Sequence, residues 1–273
     1  MRLTKRLMPG KLRMVRLWDH LPLRPSGDDG SDVMAEQFRA AQQAGGRAGG
    51  APELLPVRLA RACVAVLPVA GAAISLFHDN FRVPLGASDD AASCAERLQF
   101  TTGQGPCLEA VRQAEAVLAD HEQIAECWPE YAQELFTRTP YDAVISLPLT
   151  IVGAASGALD LFLTDQPGLR QITLADATCV QARIGEAFQH SRATTTAGEN
   201  LSGMREPAWL HGPSARDRMH VWIAMGMVMT RFELEAADAL ALLRAYAYAD
   251  GSTLDQLADE LITGRRDLAQ LRL

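Results

Sequence analysis

Cys107 occupies the position in this sequence that most directly suggests chemistry. It follows Gly103-Gln104-Gly105-Pro106, a tight loop that opens a predicted helix. A helix N-terminus lowers the pKa of a thiol, so this position predicts a reactive sensor cysteine, which Cys94 or Cys127 could join. A cysteine can equally serve as a small buried hydrophobic residue. The residues leave both interpretations open.

The other polar residues form no recognisable catalytic or metal-binding pattern. The glycine loop lacks the Gly-Lys-Ser/Thr ending of a Walker loop. The five cysteines show no Cys-x-x-Cys spacing, and the six histidines show no His-x-x-x-His or His-Glu-x-x-His arrangement. We therefore expect a protein that is not an enzyme and that has no metal site. The sequence identifies no cofactor.

Composition sets wider limits. With 273 residues, of which 48% are hydrophobic, the chain can form one or two domains with a sizeable core. The net charge of −7 argues against a broad surface that coats nucleic acid, but it leaves room for a small RNA contact. No run of 18 apolar residues occurs, so we expect no membrane span. The cysteine usage is typical of a reduced, cytoplasmic protein.

An α+β pattern extends from residue 54 to residue 195. Short alternating or apolar runs predict five strands, and the segments between them have helical spacing. This order of elements is typical of an antiparallel sheet covered by helices. The predicted strands span residues 72–77, 81–87, 116–119, 142–150 and 154–164.

The last sixty residues predict three short helices. The first carries apolar residues on every face from Met219 to Met229, so it should be buried or packed against a partner. The second spans about residues 233–249. Ser252 to Asp255 has the pattern of a capping box that begins the third helix.

Three motifs in these helices resemble the ANTAR domain, a small helical RNA-binding module of bacterial antitermination regulators. They are V-x-x-A-x-G-M-V from Val221, A-L-x-x-L-R-A-Y-A from Ala239 and L-x-x-L-A from Leu254. The resemblance covers about residues 216–264. It implies that this unit binds a hairpin in nascent RNA, where Tyr246 can stack on a splayed base. The residues to which it assigns RNA binding are Arg218, Ala224, Met225, Gly226, Arg244 and Tyr246.

The middle of the chain carries a second resemblance. G-Q-G-P-C-x-E-A at residues 103–110, followed by Trp128-Pro129, is similar to a signature of the actinobacterial branch of GAF domains, a small-molecule sensor fold. The order GAF then ANTAR also matches that branch. The resemblance implies an unidentified small-molecule or protein signal as the partner of this domain. The candidate ligand-binding residues are Phe77, Cys107 and Ser146.

Together these patterns predict an α+β protein in which a GAF-like antiparallel sheet flanked by helices precedes a small all-α three-helix ANTAR domain. The predicted divisions are a disordered, basic segment (1–53), the sensor domain (54–195), a flexible linker (196–213) and the ANTAR domain (214–273). Because a three-helix unit of this size is marginally stable alone, we also expect a homodimer.

The predicted function is a ligand- or signal-responsive transcription antitermination regulator. One alternative rests on Ile223 and Met225, which stand where many ANTAR domains have polar residues. RNA contacts need polar or charged side chains, so the unit can instead be a protein-interaction or dimerisation module without RNA binding. We expect Met225 at a surface or interface, because Gly226 beside it opens space, and Ile223 to be partly buried. An enzyme with a GAF fold, such as a free-methionine-sulfoxide reductase, is disfavoured because no clear redox pair is present.

Overall fold

A five-stranded antiparallel sheet lies at the centre of the fold. The computed structural model describes residues 28–44, 50–78, 81–152, 155–194 and 207–271. The strand order is β2-β1-β5-β4-β3, and every neighbouring pair is antiparallel. The five predicted strands are all present. They are β1 (Gly71–His78), β2 (Phe81–Ala87), β3 (Val117–Ala119), β4 (Ala143–Val152) and β5 (Ala155–Leu163).

Helices cover both faces of this sheet, as predicted. One face packs on α2 and α8, with α1 packed on these two helices, and the other packs on α3 to α6. No described helix is long and apolar enough to cross a membrane. The bounds are α1 (Asp28–Ala44), α2 (Leu55–Val66), α3 (Asp90–Thr102), α4 (Pro106–Gln113), α5 (His121–Cys127), α6 (Pro129–Arg138), α7 (Gln166–Leu169) and α8 (Leu174–Thr194).

The two faces of the sheet differ in chemistry because side chains alternate along each strand. The face toward α2 and α8 is apolar, with Leu159 and Leu161 of β5 in its core. The opposite face carries polar residues among apolar ones: on β5, buried Asp160 precedes Phe162, which belongs to the second core. This second face therefore holds the buried polar groups that a ligand site needs.

The predicted disordered segment is wrong for residues 28–44, which form α1. Met34, Phe38 and Ala41 lie at helical spacing on one face, and that face packs on the sheet core with Phe38 fully buried. Burial of this apolar face explains why the segment is ordered. Residues 1–27 and 45–49 lie outside the described residues, so the prediction for them stays a prediction.

The three predicted C-terminal helices are present as α9 (Pro213–Phe232), α10 (Ala236–Ala249) and α11 (Leu254–Ile262). Pro213 occupies the first turn of α9, where its missing N–H costs no helical hydrogen bond. Gly251 follows α10 with a φ of 62°, a left-handed conformation that favours glycine.

The capping box of α11 lies one residue away from its predicted place. Thr253 accepts a hydrogen bond from the backbone N–H of Gln256, and the Gln256 side chain accepts one from the backbone N–H of Thr253. The predicted pair, Ser252 and Asp255, does not form the box. Asp255 is instead buried in an ion pair, as described below.

The C-terminal helices pack directly against the sheet domain. Phe100 of α3 is 3% exposed and belongs to the apolar core that α9, α10 and α11 share. The backbone N–H of Leu254, at the start of α11, donates to Thr101 Oγ1 at 2.9 Å. Helix α9 also covers the outer edge of β2, because Arg218 donates to the Arg82 carbonyl at 3.3 Å. The two parts of the chain therefore share one buried junction.

The predicted flexible linker, residues 196–213, falls largely outside the described residues, which resume at residue 207. From there Ala208–His211 forms a short 3₁₀ helix. Its Trp209 is buried against Phe188 of α8, with the ring centroids 4.9 Å apart. The described end of the linker is thus held against the sheet domain.

Candidate functional site

A cluster of buried polar side chains lies at the centre of the second face of the sheet. Asp160 of β5 pairs across the sheet with Ser146 of β4, whose hydroxyl donates to Asp160 Oδ1 at 2.5 Å. Gln99 of α3 donates to Asp160 Oδ2 at 2.8 Å. The Gln99 amide oxygen also accepts the backbone N–H of Cys107, at the start of α4. Strand register and two helices together fix the position of this carboxyl group.

Arg82 and Glu96 bring two further charges to the cluster, and both are 2% exposed. Arg82 Nη2 lies 3.0 Å from Glu96 Oε1 and 3.9 Å from Asp160 Oδ2. No nitrogen of the Arg82 side chain and neither carboxylate oxygen of Glu96 makes a hydrogen bond of good geometry with a described residue. The hydroxyls of Ser75 and Tyr131 are also without a partner among the described residues.

Unsatisfied buried polar groups are rare in folded proteins and call for a ligand, an ion or ordered water. This cluster has donors on Arg82 and acceptors on Glu96 that are turned away from solvent. Arg82 can donate hydrogen bonds and Glu96 can accept them. Together they are suited to bind a small molecule that has both hydrogen-bond acceptors and donors. Among the described residues, no group of three or more His, Cys, Asp or Glu side chains is placed to hold a metal ion.

Burial also alters the acidity of the groups in the cluster. The pKa of Asp160 is raised to about 6, because burial disfavours its charge more than Arg82, Ser146 and Gln99 stabilise it. Burial and the nearby Asp160 raise the pKa of the Tyr131 hydroxyl well above its usual range. Tyr131 therefore remains a neutral donor and acceptor in this site.

A second ionic group connects the cluster to the C-terminal helices. Arg218 of α9 is fully buried and makes a bidentate pair with Asp255 of α11, at 2.8 and 3.2 Å. Its Nη2 lies 3.7 Å from Glu96 Oε2, so Glu96 lies between Arg82 and Arg218. The guanidinium also stacks over Phe100, 3.7 Å from the ring centroid. A line of buried ionic groups thus runs from the sheet to α11.

Arg244 of α10 completes this junction without a carboxylate partner among the described residues. Its Nε donates to the Phe100 carbonyl at 3.0 Å, and its guanidinium lies 5.1 Å from the Phe100 ring centroid. Burial, together with the charges of Arg218 and Arg82, lowers the pKa of Arg244 to about 10. Gly103, with a φ of 70°, lies so close that a Cβ there would come within 3.1 Å of the guanidinium.

The three predicted ligand residues all border this cluster. The Phe77 ring lies 5.4 Å from the Arg82 guanidinium, and Ser146 donates to Asp160. Cys107 is fully buried, and its thiol pKa is raised well above the usual range by burial. The interpretation of Cys107 as a reactive thiolate is therefore not supported, because desolvation outweighs any effect of the helix N-terminus.

The six predicted RNA-binding residues are not presented on one open surface. Arg218 is buried and paired with Asp255, so in this arrangement it cannot contact RNA, contrary to the prediction. Ala224 is fully buried in the core of the three helices, which also corrects its assignment. Arg244 is held in the junction, and the partly buried Tyr246 packs against the helical core. A Cβ added at Gly226 would meet nothing within 4 Å, so this position is open.

The expected positions of Ile223 and Met225 are reversed. Ile223 is 50% exposed, and Met219, one turn earlier on α9, is 56% exposed. Met225 is partly buried against the core of the three helices. The reason is geometric: Met225 lies four residues after the buried Val221 and three before the buried Val228, so it is close to their face, whereas Ile223 lies two residues after Val221 and points away from it.

Sequence reasoning missed the residues that define the cluster, namely Arg82, Glu96, Gln99, Tyr131 and Asp160. A signal was present for Asp160, which interrupts the apolar run Ala158-Leu159-Asp160-Leu161-Phe162. A charged residue inside a strand of this kind is rarely buried without a partner. No sequence pattern predicts that Glu96 and Arg82 are buried, because their burial depends on α9, which lies far away in the sequence.

Solved GAF domains are similar to about 60% of the chain. The GAF domain of a phosphoenolpyruvate-protein phosphotransferase from Coxiella burnetii has a TM-score of 0.44 and 16% identity, and the match covers 60% of this chain and 96% of that one.

Two further solved structures are similar. The GAF domain of an Acinetobacter phosphoenolpyruvate-protein phosphotransferase has a TM-score of 0.40 and 11% identity, covering 61% of this chain and 99% of that one. A GAF domain/HD domain protein from Geobacter sulfurreducens has a TM-score of 0.35 and 12% identity, covering 59% and 93%. No family model matches the sequence, and no curated protein matches it. At these identities nothing about ligand or activity follows.

Proposed function

We propose that this chain is a non-enzymatic regulator in which a GAF-type sensor domain controls an ANTAR-type RNA-binding unit. The sensor site is the buried cluster around Arg82, Glu96 and Asp160. The output unit is α9 to α11, which binds a hairpin in nascent RNA and stabilises it against a competing terminator.

One observation carries the sensor-to-output part of this proposal. Glu96 is shared between Arg82, at 3.0 Å, and Arg218, at 3.7 Å, and Arg218 in turn pairs with Asp255 of α11. A molecule that changes the partners of Glu96 therefore changes the attachment of the C-terminal helices. Buried ion pairs respond strongly to the loss of one partner, because the other charge stays desolvated.

The chemistry of the cluster indicates the class of ligand. Arg82 and Glu96 form an ion pair with each other, but neither the N–H groups of Arg82 nor the carboxylate oxygens of Glu96 make a hydrogen bond of good geometry with a described residue. Phe77 adds an aromatic face beside Arg82. We therefore favour a small polar molecule that accepts from Arg82 and donates to Glu96.

The RNA-binding part rests on the motifs of the last three helices and on the arginines they carry. Arg244 stands in the L-R-A-Y segment and has no carboxylate partner among the described residues. A guanidinium that is not paired with a carboxylate can bind a phosphate group once the guanidinium is exposed. With few such contacts, the affinity for RNA is modest and depends weakly on salt.

A second candidate function is a protein-interaction or dimerisation module. Met219 and Ile223 form an exposed apolar strip on α9, beside the open Gly226. Exposed apolar residues are better suited to contact another protein than to contact an RNA backbone. The homodimer predicted from the sequence stays a prediction.

The test is a selection of hairpins from a pool of transcript leader RNAs with the full purified chain. We expect one hairpin class to be enriched, and its affinity, measured by fluorescence anisotropy, to fall as salt is raised. Arg244→Gln should weaken binding by about tenfold, as expected for loss of one charged contact.

Arg170→Gln is the matched control, because Arg170 is an exposed arginine of the sheet domain. It should leave RNA affinity unchanged. If no hairpin is enriched, even at low salt, the RNA-binding proposal is wrong and the interaction module becomes the better account.

A further inference from the structure

The contacts between the sheet domain and the C-terminal helices cover the residues on which RNA binding would depend. Arg218 has no exposed surface, and it is enclosed by Asp255, Glu96, the Arg82 carbonyl and the Phe100 ring. Arg244 is held by the carbonyl and the ring of the same Phe100. Arg218 is therefore enclosed by protein, and the partly buried Arg244 is held against α3.

The structure points to a closed, autoinhibited state, and we propose that release of α9 to α11 from α3 exposes Arg218 and Arg244 for a phosphate-bearing partner. This inference rests on the proposed function for the identity of that partner. The closure itself is a property of the chain and can be measured without RNA.

Three of the contacts that hold the closed state involve α3, beside the hydrogen bonds from Arg218 to the Arg82 carbonyl of β2 and from Tyr248 to Gln133 of α6. Phe100 inserts into the core of the C-terminal helices, with Trp222 edge-to-face at 6.0 Å. Thr101 Oγ1 accepts the first backbone N–H of α11, from Leu254. At the rim, Arg97 pairs with Asp217 of α9 at 2.6 Å. Because one helix supplies these three contacts, a displacement of α3 weakens the attachment of α9, α10 and α11 together.

The closed state also contains features that oppose it. Burial and the charges of Arg218 and Arg82 lower the pKa of Arg244, so its charged form is less favourable here than in water. The oxygens of Glu96 have no hydrogen bond of good geometry with a described residue, although they serve both Arg82 and Arg218. A ligand that donates to Glu96 withdraws it from Arg218 and weakens the closure.

The experiment measures exposure of the arginines by phenylglyoxal labelling and mass spectrometry of the full chain. Arg265, whose side chain is 61% exposed, is the internal standard. In the wild type, Arg244 and Arg218 should react far more slowly than Arg265. In Phe100→Ala, which removes the shared ring, and in Glu96→Gln, which removes the shared charge, both should react about tenfold faster, through a larger open population.

Phe136→Ala is the matched control, because the Phe136 ring stacks on His121 of α5 and packs on the second core of the sheet domain. It should leave the labelling ratios unchanged. If Phe100→Ala loses helical circular dichroism, Glu96→Gln and the rim variant Arg97→Asp decide the result. The closed state is refuted if Arg244 labels as fast as Arg265 in the wild type, or if no folded junction variant labels faster. If variants label faster yet bind no hairpin, the closure stands and the RNA-binding proposal fails.

Discussion

Replacing Arg218 with methionine tests whether the junction is as buried as described. Methionine retains much of the length of the side chain but removes the charge, so Asp255, which is 3% exposed, loses its bidentate partner. Breaking a buried ion pair from one side costs about 3–5 kcal/mol, because the remaining charge is desolvated. The loss of the hydrogen bond to the Arg82 carbonyl adds to this cost. We expect the free energy of unfolding to fall by about 4 kcal/mol.

The assay is equilibrium urea unfolding followed by far-ultraviolet circular dichroism. The double variant Arg218→Met/Asp255→Leu should regain at least about 2 kcal/mol relative to Arg218→Met, since no uncompensated carboxylate remains on α11. Arg231→Met, at an exposed position of the same helix, should lie within about 0.5 kcal/mol of the wild type. A cost below about 1 kcal/mol for Arg218→Met would show that Arg218 is solvated and that the junction is wrongly described.

Three further predictions concern single sites. On α9, Ile223→Gln should be nearly neutral in thermal unfolding, whereas Met225→Lys should destabilise by about 1–3 kcal/mol through loss of packing; the opposite order would contradict the exposures of these residues. Because the pKa of Asp160 is raised from 3.8 to about 6, the protonated carboxyl stabilises the fold, and this contribution is lost as pH rises through about 6. The stability of the wild type relative to Asp160→Asn, measured by urea unfolding at several pH values, should therefore fall between about pH 4 and pH 7, and a flat difference would argue against a buried carboxyl. Cys107 should react with iodoacetamide far more slowly than the partly exposed Cys127 at pH 8, and equal rates would show that Cys107 is accessible.

The sheet and the three last helices could be predicted from the sequence because they depend on local patterns. Alternation along β4 and β5 sets which side chains face each layer, and Gly251 marks the end of α10. The error at the α11 cap has a local cause as well: Thr253 and Ser252 are both good caps, and only the burial of Asp255 against Arg218 decides between them.

The junction could not be predicted in the same way. Arg218 is separated in sequence by 37 residues from Asp255 and by 136 residues from Arg82. No periodicity connects such positions, so the sequence predicts a surface position for an arginine on a helix whose motifs resemble an RNA-binding module. The candidate ligand residues Phe77, Cys107 and Ser146 do border one cluster, but the charged centre of that cluster was found only in the structure.

The most direct test compares how tightly three proteins bind the selected RNA hairpin at one salt concentration. They are the wild type, Phe100→Ala and Phe100→Ala/Arg244→Gln. Phe100 belongs to the sheet domain and contacts Arg244 through its ring and its carbonyl. We expect about tenfold tighter binding by Phe100→Ala, because Arg244 becomes more exposed, and loss of that gain in the double variant. Equal affinity of the wild type and a folded Phe100→Ala would contradict this expectation.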